Sequence, residues 1–363
     1  MHPFYIILFL ETILAFVFYI GSSSTNTRGK RTFKYRQQVY LILAFGILFY
    51  FHAFRDPYSL VDIPAYANAY KESLGYTWNR VLSDHYVFLK CEVGFRIVIK
   101  AISSIFSSYQ MLFVLTSVFL TYSYYKTIKR YSAYFFISVM VFTVSSFADS
   151  LFMLRSFLAI GILLFTFPYI IERKIVPFLA LSMLAMTIHN SSVIFLPVYF
   201  IYGVKKPKWI WMTLIVVGGL FMLRFDVIVS YIVEQYLLGY SYYIVNIDNY
   251  EGASWKMPAL LGFLLLMRVV VLKKNFFDMG ITRLLSIISV LAFLVYTAGM
   301  GFGLTSRMAM FFTNMTFLIL PDTVSQMKNK QLGIIISIVY IIFSSYFFLR
   351  NSTEFLWINY HLI

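Results

Sequence analysis

Cysteine is almost absent: Cys91 is the only one in 363 residues. That excludes an intramolecular disulfide and a cysteine-based metal site. Charge is scarce as well, at 12% of the chain, and acids are the scarcer sign, 15 against 30 basic residues. No two acids stand in a D-x-D arrangement that would hold a divalent ion, which argues against a soluble nucleotide-sugar donor. There is no Walker-type phosphate loop, no G-x-S-x-G, no H-E-x-x-H and no cysteine/histidine cluster. A small-residue cleavage site is missing after the first apolar stretch, so Pro3 to Ile20 reads as a helix that stays rather than a signal peptide.

Apolar residues are abundant instead, at 60%, with a mean hydropathy of +0.78. A soluble domain of this length is not that apolar, and repeated apolar stretches of about 17 to 20 residues read as transmembrane helices. The net charge of +15 would suggest nucleic acid in a soluble protein. Here it falls in short basic clusters between apolar segments, as cytoplasmic loops should. Arg28, Lys30, Arg31, Lys34 and Arg36 form one cluster, and Lys126, Lys129 and Arg130 the next. Arg173 with Lys174, then Lys205, Lys206 and Lys208, follow. Lys273, Lys274 and Arg283, and finally Lys328 with Lys330, complete the series. Nucleic acid is therefore not expected as a partner.

An even number of crossings must separate consecutive clusters. Helices at 3–20, 38–54, 109–125, 131–148, 151–171, 175–188, 191–204, 209–224, 257–272, 283–299, 304–322 and 331–349 satisfy this. The expected architecture is one all-α polytopic integral membrane domain over 1–363. It has about twelve transmembrane helices (range roughly 10 to 13) and both termini outside. The short pair 175–188 and 191–204 forms a helical hairpin or re-entrant pair, with His189 and Asn190 at its outer tip. Two long outer segments remain, 55–108 and 225–256. In the first, Gly94 to Ser107 carries Arg96 and Lys100 about one turn apart and fits an interfacial amphipathic helix. The second holds Tyr231, Tyr236, Tyr240, Tyr242, Tyr243 and Tyr250, a glycan-facing or interfacial aromatic set.

Arg55, Arg155 and Arg307 sit within a few residues of the ends of apolar segments, all near one face in this topology. An ionisable side chain at membrane depth is costly and marks a functional site by default. Arg155 and Arg307 fall in the first turns of helices whose N-termini favour anions. Three guanidinium groups with no obvious carboxylate cluster point to an anionic ligand, above all phosphate. The alternative for each is an ion pair or a snorkelling side chain, with Asp149 the nearest acid to Arg155 in sequence. Asp62, Tyr66 and Tyr70 are spaced four apart and share one helix face. An acid with two tyrosines suits a sugar, and Asp56, Glu92 and Tyr240 are further sugar-binding candidates, with Glu92 equally suited to cap the segment it opens. The alternative is a capped surface helix with Asp62 as N-cap and Pro64 in its first turn. His189 can serve as base, acid or phosphate partner, or simply close a helix end with Asn190 and Ser191.

These residues, taken in order, resemble the EpsG-like family of polysaccharide polymerases, related in role to Wzy O-antigen polymerases. The resemblance runs through Arg55-Asp56, Asp62/Tyr66/Tyr70 and Glu92-Val93-Gly94-Phe95. It continues in M-L-R-S-F-L-A-I around Arg155, L-A-M-T-I-H-N-S-S around His189 and T-S-R-M around Arg307. The R-x10-G loops of some polymerases are not matched, since Thr166 and Leu318 stand where glycine would.

The resemblance implies work at the outer leaflet of a bacterial inner membrane. A growing glycan would pass from undecaprenyl diphosphate to the non-reducing end of an undecaprenyl-diphosphate-linked repeat unit, without cofactor, metal or nucleotide. A chain-length regulator is an optional partner. In this expectation Arg155 and Arg307 bind the donor diphosphate, Arg55 assists, and His189 or Asp62 deprotonates the acceptor hydroxyl. An O-antigen ligase would share these features and differ in acceptor. A flippase would need basic residues at mid-depth, where Glu11 is the main charged residue. A sugar acyltransferase would use a histidine in the helical core, His52 or His189.

Overall fold

The computed structural model describes residues 3–19, 27–58, 62–83, 91–204, 255–278, 280–298 and 303–355. Every regular element among them is helical. The expected helix at 209–224 and the tyrosine segment 225–256, with Tyr240, fall almost entirely outside the described residues.

Helix α1 (Pro3–Tyr19) packs on α2 (Thr27–Ala53), and α2 packs along α6 (Gln110–Tyr131). Between them lie the short α3 (Ile63–Leu74), α4 (Trp78–Ser83) and α5 (Val93–Ser103). Helix α2 begins well before the expected residue 38, because Arg, Lys and Gln are good helix formers and carry the helix out past its apolar part. Helix α6 likewise runs on through Lys126, Lys129 and Arg130. The last two stand in its final turn, where cations suit the negative end of the helix.

The stretch Phe135–Phe152 is continuous but widens to a π-turn at Thr143–Phe147 between α7 (Phe135–Phe142) and α8 (Ala148–Phe152). Glu11, fully buried, accepts a hydrogen bond from the Thr143 hydroxyl at 2.8 Å. The chain then breaks at Met153, whose ψ of 52° is not helical, and restarts as α9 (Leu154–Leu164). After α10 (Phe167–Ile171), α11 (Ile175–Ile188) returns antiparallel along α9. A 3-10 turn (Asn190–Phe195) and α12 (Pro197–Gly203) follow.

The rest is α13 (Lys256–Leu272), α14 (Ile281–Ala298), α15 (Gly303–Thr313), α16 (Thr316–Ser325) and α17 (Lys330–Phe355). The expected single helix at 304–322 is thus two, with a break at Asn314 and Met315. By length and composition, Phe135–Phe152 and Ile281–Ala298 can cross a membrane, and shorter apolar helices stand beside them. One continuous apolar core joins all these helices.

The α9/α11 hairpin sorts charge. Arg173 and Lys174 are at its turn. At that same end Arg283 donates to the Val204 carbonyl at 2.6 Å, and Arg173 lies 4.0 Å from the centre of the Tyr199 ring. Arg155 and His189 lie at the opposite end. Near the basic end, a buried ion pair ties α13 to α16: Arg268 Nη2 donates to Asp322 Oδ2 at 2.7 Å. The guanidinium also donates to Ser286, Thr323 and the Thr282 carbonyl.

Arg96 and Lys100 do not form a water-facing side of α5. Both are buried. Arg96 donates to the Val81 carbonyl at 2.8 Å and Lys100 to the Ser73 carbonyl at 3.0 Å. They close the carbonyl ends of α4 and α3 instead of facing water.

Candidate functional site

Glu92 is the last residue before α5, with extended backbone (φ −59°, ψ 148°). Two residues on, Gly94 lets the head of α5 press onto the end of α11. A Cβ there would lie 2.3 Å from Thr187 Oγ1 and 2.7 Å from the Thr187 carbonyl oxygen. This approach delivers the Glu92 carboxylate to His189. Oε1 accepts from His189 Nδ1 at 3.2 Å and from the Asn190 backbone N–H at 3.1 Å. Oε2 accepts from Arg155 Nη1 at 2.6 Å. A donor already bound there, Arg155, also gives Nε–H to the Tyr66 hydroxyl at 3.2 Å. The His189 ring stacks on Phe311 of α15, centroids 6.0 Å apart and planes 17° off parallel.

Three chain segments therefore meet at one carboxylate, and α3 and α15 reach it through Arg155 and His189. Burial alone would raise the Glu92 carboxyl. The His189 hydrogen bond, the Arg155 charge and backbone N–H groups outweigh it and hold the carboxyl down to about 2. Burial pushes the Tyr66 phenol up against the pull of Arg155, so Tyr66 meets the guanidinium as a neutral hydroxyl. The Arg155 side chain keeps 28% of its surface exposed and His189 23%, against 12% for Glu92. The carboxylate is the covered element, and the cation and the imidazole open outwards. An anion can meet the guanidinium edge that Glu92 and Tyr66 leave, beside an imidazole able to exchange a proton.

Several expectations change. Arg155 does have a carboxylate partner, and it is Glu92, not the sequence-near Asp149. Arg307 is exposed and stands one turn before Phe311 on α15, the helix that stacks on His189. Arg55 is fully buried. It donates to His52 Nδ1 at 2.8 Å and to the His52 carbonyl, and lies 4.7 Å from the centre of the Phe113 ring. His52 is itself buried and donates through Nε2 to the Ser150 carbonyl at 2.9 Å.

The tyrosine face of α3 points inwards. Tyr66 packs edge-on against Phe95, and Tyr70 is fully buried with its hydroxyl donating to the Phe106 carbonyl at 2.6 Å. Packing takes the Tyr70 ring faces that a sugar would need. Asp62 is exposed and precedes α3, with Pro64 in the first turn, yet its side chain makes no cap bond. Asp56 accepts from the Tyr58 N–H at 2.9 Å in a local turn. Glu92 was read as one sugar-binding acid among several, whereas the structure makes it the link between Arg155 and His189. Nothing in the sequence marks Phe311 as the partner of His189, whereas Gly94, in the first turn of α5 and in the Glu92-Val93-Gly94-Phe95 motif, is the signal of the close approach.

A family model described as EpsG family matches residues 38–362. No curated protein and no solved structure matches the chain. The matched region holds every residue of the Glu92 cluster, and the apolar helices agree with a membrane protein of polysaccharide biosynthesis. The chain belongs to the EpsG family of Wzy-type polysaccharide polymerases.

Proposed function

We propose that the protein transfers a growing glycan from undecaprenyl diphosphate to the non-reducing end of an undecaprenyl-diphosphate-linked repeat unit. The reaction takes place at the outer leaflet and needs no metal. The observation that carries this reading is the meeting of Arg155 and His189, both partly exposed, at the Glu92 carboxylate, in a chain of a polymerase family. This cluster lies at the end of the α9/α11 hairpin opposite Arg173 and Lys174, as the positive-inside rule requires of an outward-facing site. The twelve-helix topology with both termini outside belongs to the same proposal.

The acceptor hydroxyl attacks the anomeric carbon of the donor. Its O–H proton passes to His189, the new O–C bond forms, and the anomeric C–O bond breaks with its electron pair going to the diphosphate. Charge grows on the departing diphosphate, and Arg155 and Arg307 hold it. Fixed cations at such a position are worth about 10²- to 10³-fold in rate, and a general base about 10²- to 10⁴-fold. His189 takes the base role over Asp62, because Glu92 and Phe311 fix its ring while the Asp62 side chain has no cap bond. Arg55, fully buried, holds the end of α2 against α6.

The test is purified protein in liposomes with a short undecaprenyl-diphosphate-linked repeat unit and EDTA, with products read as a ladder on a gel. The wild type gives a ladder, and Arg155→Ala and Arg307→Ala each reduce it about 10²- to 10³-fold. Full ladders from both variants would refute the diphosphate assignment. Movement of the lipid-linked sugar across the bilayer without a ladder would replace this reading with a flippase. Transfer only to a lipid A core would replace it with a ligase.

A further inference from the structure

We propose that Glu92 is a positioning residue for both halves of the reaction, fixing His189 as a base through Nε2 and aiming the Arg155 guanidinium. The inference rests on the polymerase reading above and deepens it: Glu92, which helps to fix the His189 ring there, also sets the tautomer of that ring and aims the cation.

The argument begins with proton inventory. An ionised carboxylate only accepts hydrogen bonds. Glu92 Oε1 lies 3.2 Å from His189 Nδ1, so that nitrogen carries the proton. In the neutral ring the lone pair is then on Nε2, the nitrogen left to take a proton from a substrate. The ring cannot turn freely, because it stacks on Phe311 with planes 17° apart. Tautomer and orientation are thus both set, and Glu92 stands ready to neutralise the imidazolium that forms when Nε2 takes the hydroxyl proton. A buried carboxylate plays this part behind the histidine in serine hydrolases, where it never takes the proton itself.

The other oxygen does separate work. Oε2 holds Arg155 Nη1 at 2.6 Å while Tyr66 holds Nε at 3.2 Å. Bonds from Nη1 and from Nε–H, on different sides of the planar guanidinium, fix its plane and leave Nη2 to meet a phosphate oxygen. The base and the leaving-group cation are therefore set relative to each other by one side chain. The head of α5 that carries it is pressed into place at Gly94 against Thr187. Other titratable or charged groups around the ring are Cys91 beside Glu92, Arg155 on α9, Tyr66 on α3 and Arg307 one turn from Phe311 on α15.

The experiment measures kcat and KM against pH in the liposome assay for the wild type, Glu92→Gln and Glu92→Asp, each checked for folding by thermal unfolding. Glu92→Gln keeps the size but loses the charge. Its kcat falls about 10²- to 10⁴-fold, and the acid limb of its kcat profile moves to lower pH as the imidazolium loses its counter-charge. Glu92→Asp keeps the charge and shortens the reach. It retains the limb near the wild-type position and recovers at least about tenfold of the lost kcat. A Glu92→Gln profile merely scaled down, with its limb unmoved, would overturn the proposal. If Glu92→Gln does not fold, Glu92→Asp decides alone: a loss confined to KM would also overturn it. A wild type that makes no ladder would instead sink the polymerase reading, which keeps the two failures apart.

Discussion

Replacing Gly94 by alanine should damage this protein, although glycine-to-alanine in a helix is ordinarily favourable by up to about 1 kcal/mol. The added Cβ would meet the Thr187 carbonyl oxygen at 2.7 Å and its carbon at 2.8 Å. Backbone atoms cannot swing away as a side chain can. To restore ordinary contact near 3.4 Å, α5 must recede from α11 by roughly 0.7 Å. Glu92 precedes Gly94 by two residues and moves with it, which stretches the 3.2 Å bond to His189 beyond hydrogen-bonding range. Overpacking costs about 1 to 3 kcal/mol, and losing a hydrogen bond to a charged group costs about 1.5 to 3 more. The helix gain is outweighed, for a net loss on the order of 2 kcal/mol or more. Activity should fall about 10²-fold, as expected when reacting groups are misplaced by about 1 Å. The control is Gly46→Ala in α2, where nothing lies within 4 Å of the new methyl and no loss is expected. Thr187→Ala combined with Gly94→Ala should not rescue, because the carbonyl clash remains. Thermal unfolding in nanodiscs and ladder yield measure both effects. A Gly94→Ala protein that melts like the wild type and makes a full ladder would refute the argument.

Acid should weaken the Glu92 cluster in a defined window. The carboxyl is ordinarily near 4.5 and is held in the fold at about 2. A depressed carboxyl contributes stability that is fully present above about pH 4.5 and is lost as pH falls towards 2. The stability gap between the wild type and Glu92→Gln should therefore shrink as pH falls below about 4.5. A gap that stays constant to pH 3 by denaturant unfolding would contradict this. Asp322→Ala should cost about 3 to 5 kcal/mol, since it leaves the fully buried Arg268 without its counter-charge at 2.7 Å. Replacing both partners by apolar residues should recover much of that loss. A melting temperature unchanged in Asp322→Ala would show the pair to be unimportant.

Helix positions were legible because apolar run length is a local property. The segment 175–188 agrees with α11 at both ends, and 257–272 and 283–299 agree within two residues. What failed was local too, but of another kind. The π-turn at Thr143–Phe147 and the division of α15 from α16 occur inside apolar stretches where no glycine or proline stands at the break, whereas the break expected between 148 and 151 is present, at Met153. Packing sets the first two, and hydropathy does not record it. The basic stretch before residue 38 was read as a loop because its charge marks sidedness, although the same residues favour helix.

The site was half legible for a related reason. A charged residue at the end of an apolar segment signals that its charge must be answered, but not by what. Arg96, Lys100 and Arg268 announce themselves in the sequence as Arg155 does, yet their cationic groups are spent on carbonyls and on Asp322 within the fold. Arg155 differs by leaving 28% of its side chain exposed while its partner Glu92 is also engaged by His189 and Asn190. One carboxylate thus answers Arg155 while also accepting from His189 and the Asn190 N–H. That sharing joins residues 63 and 97 positions apart in sequence. No window along the chain contains it, and the approach of α5 to α11 at Gly94 creates it.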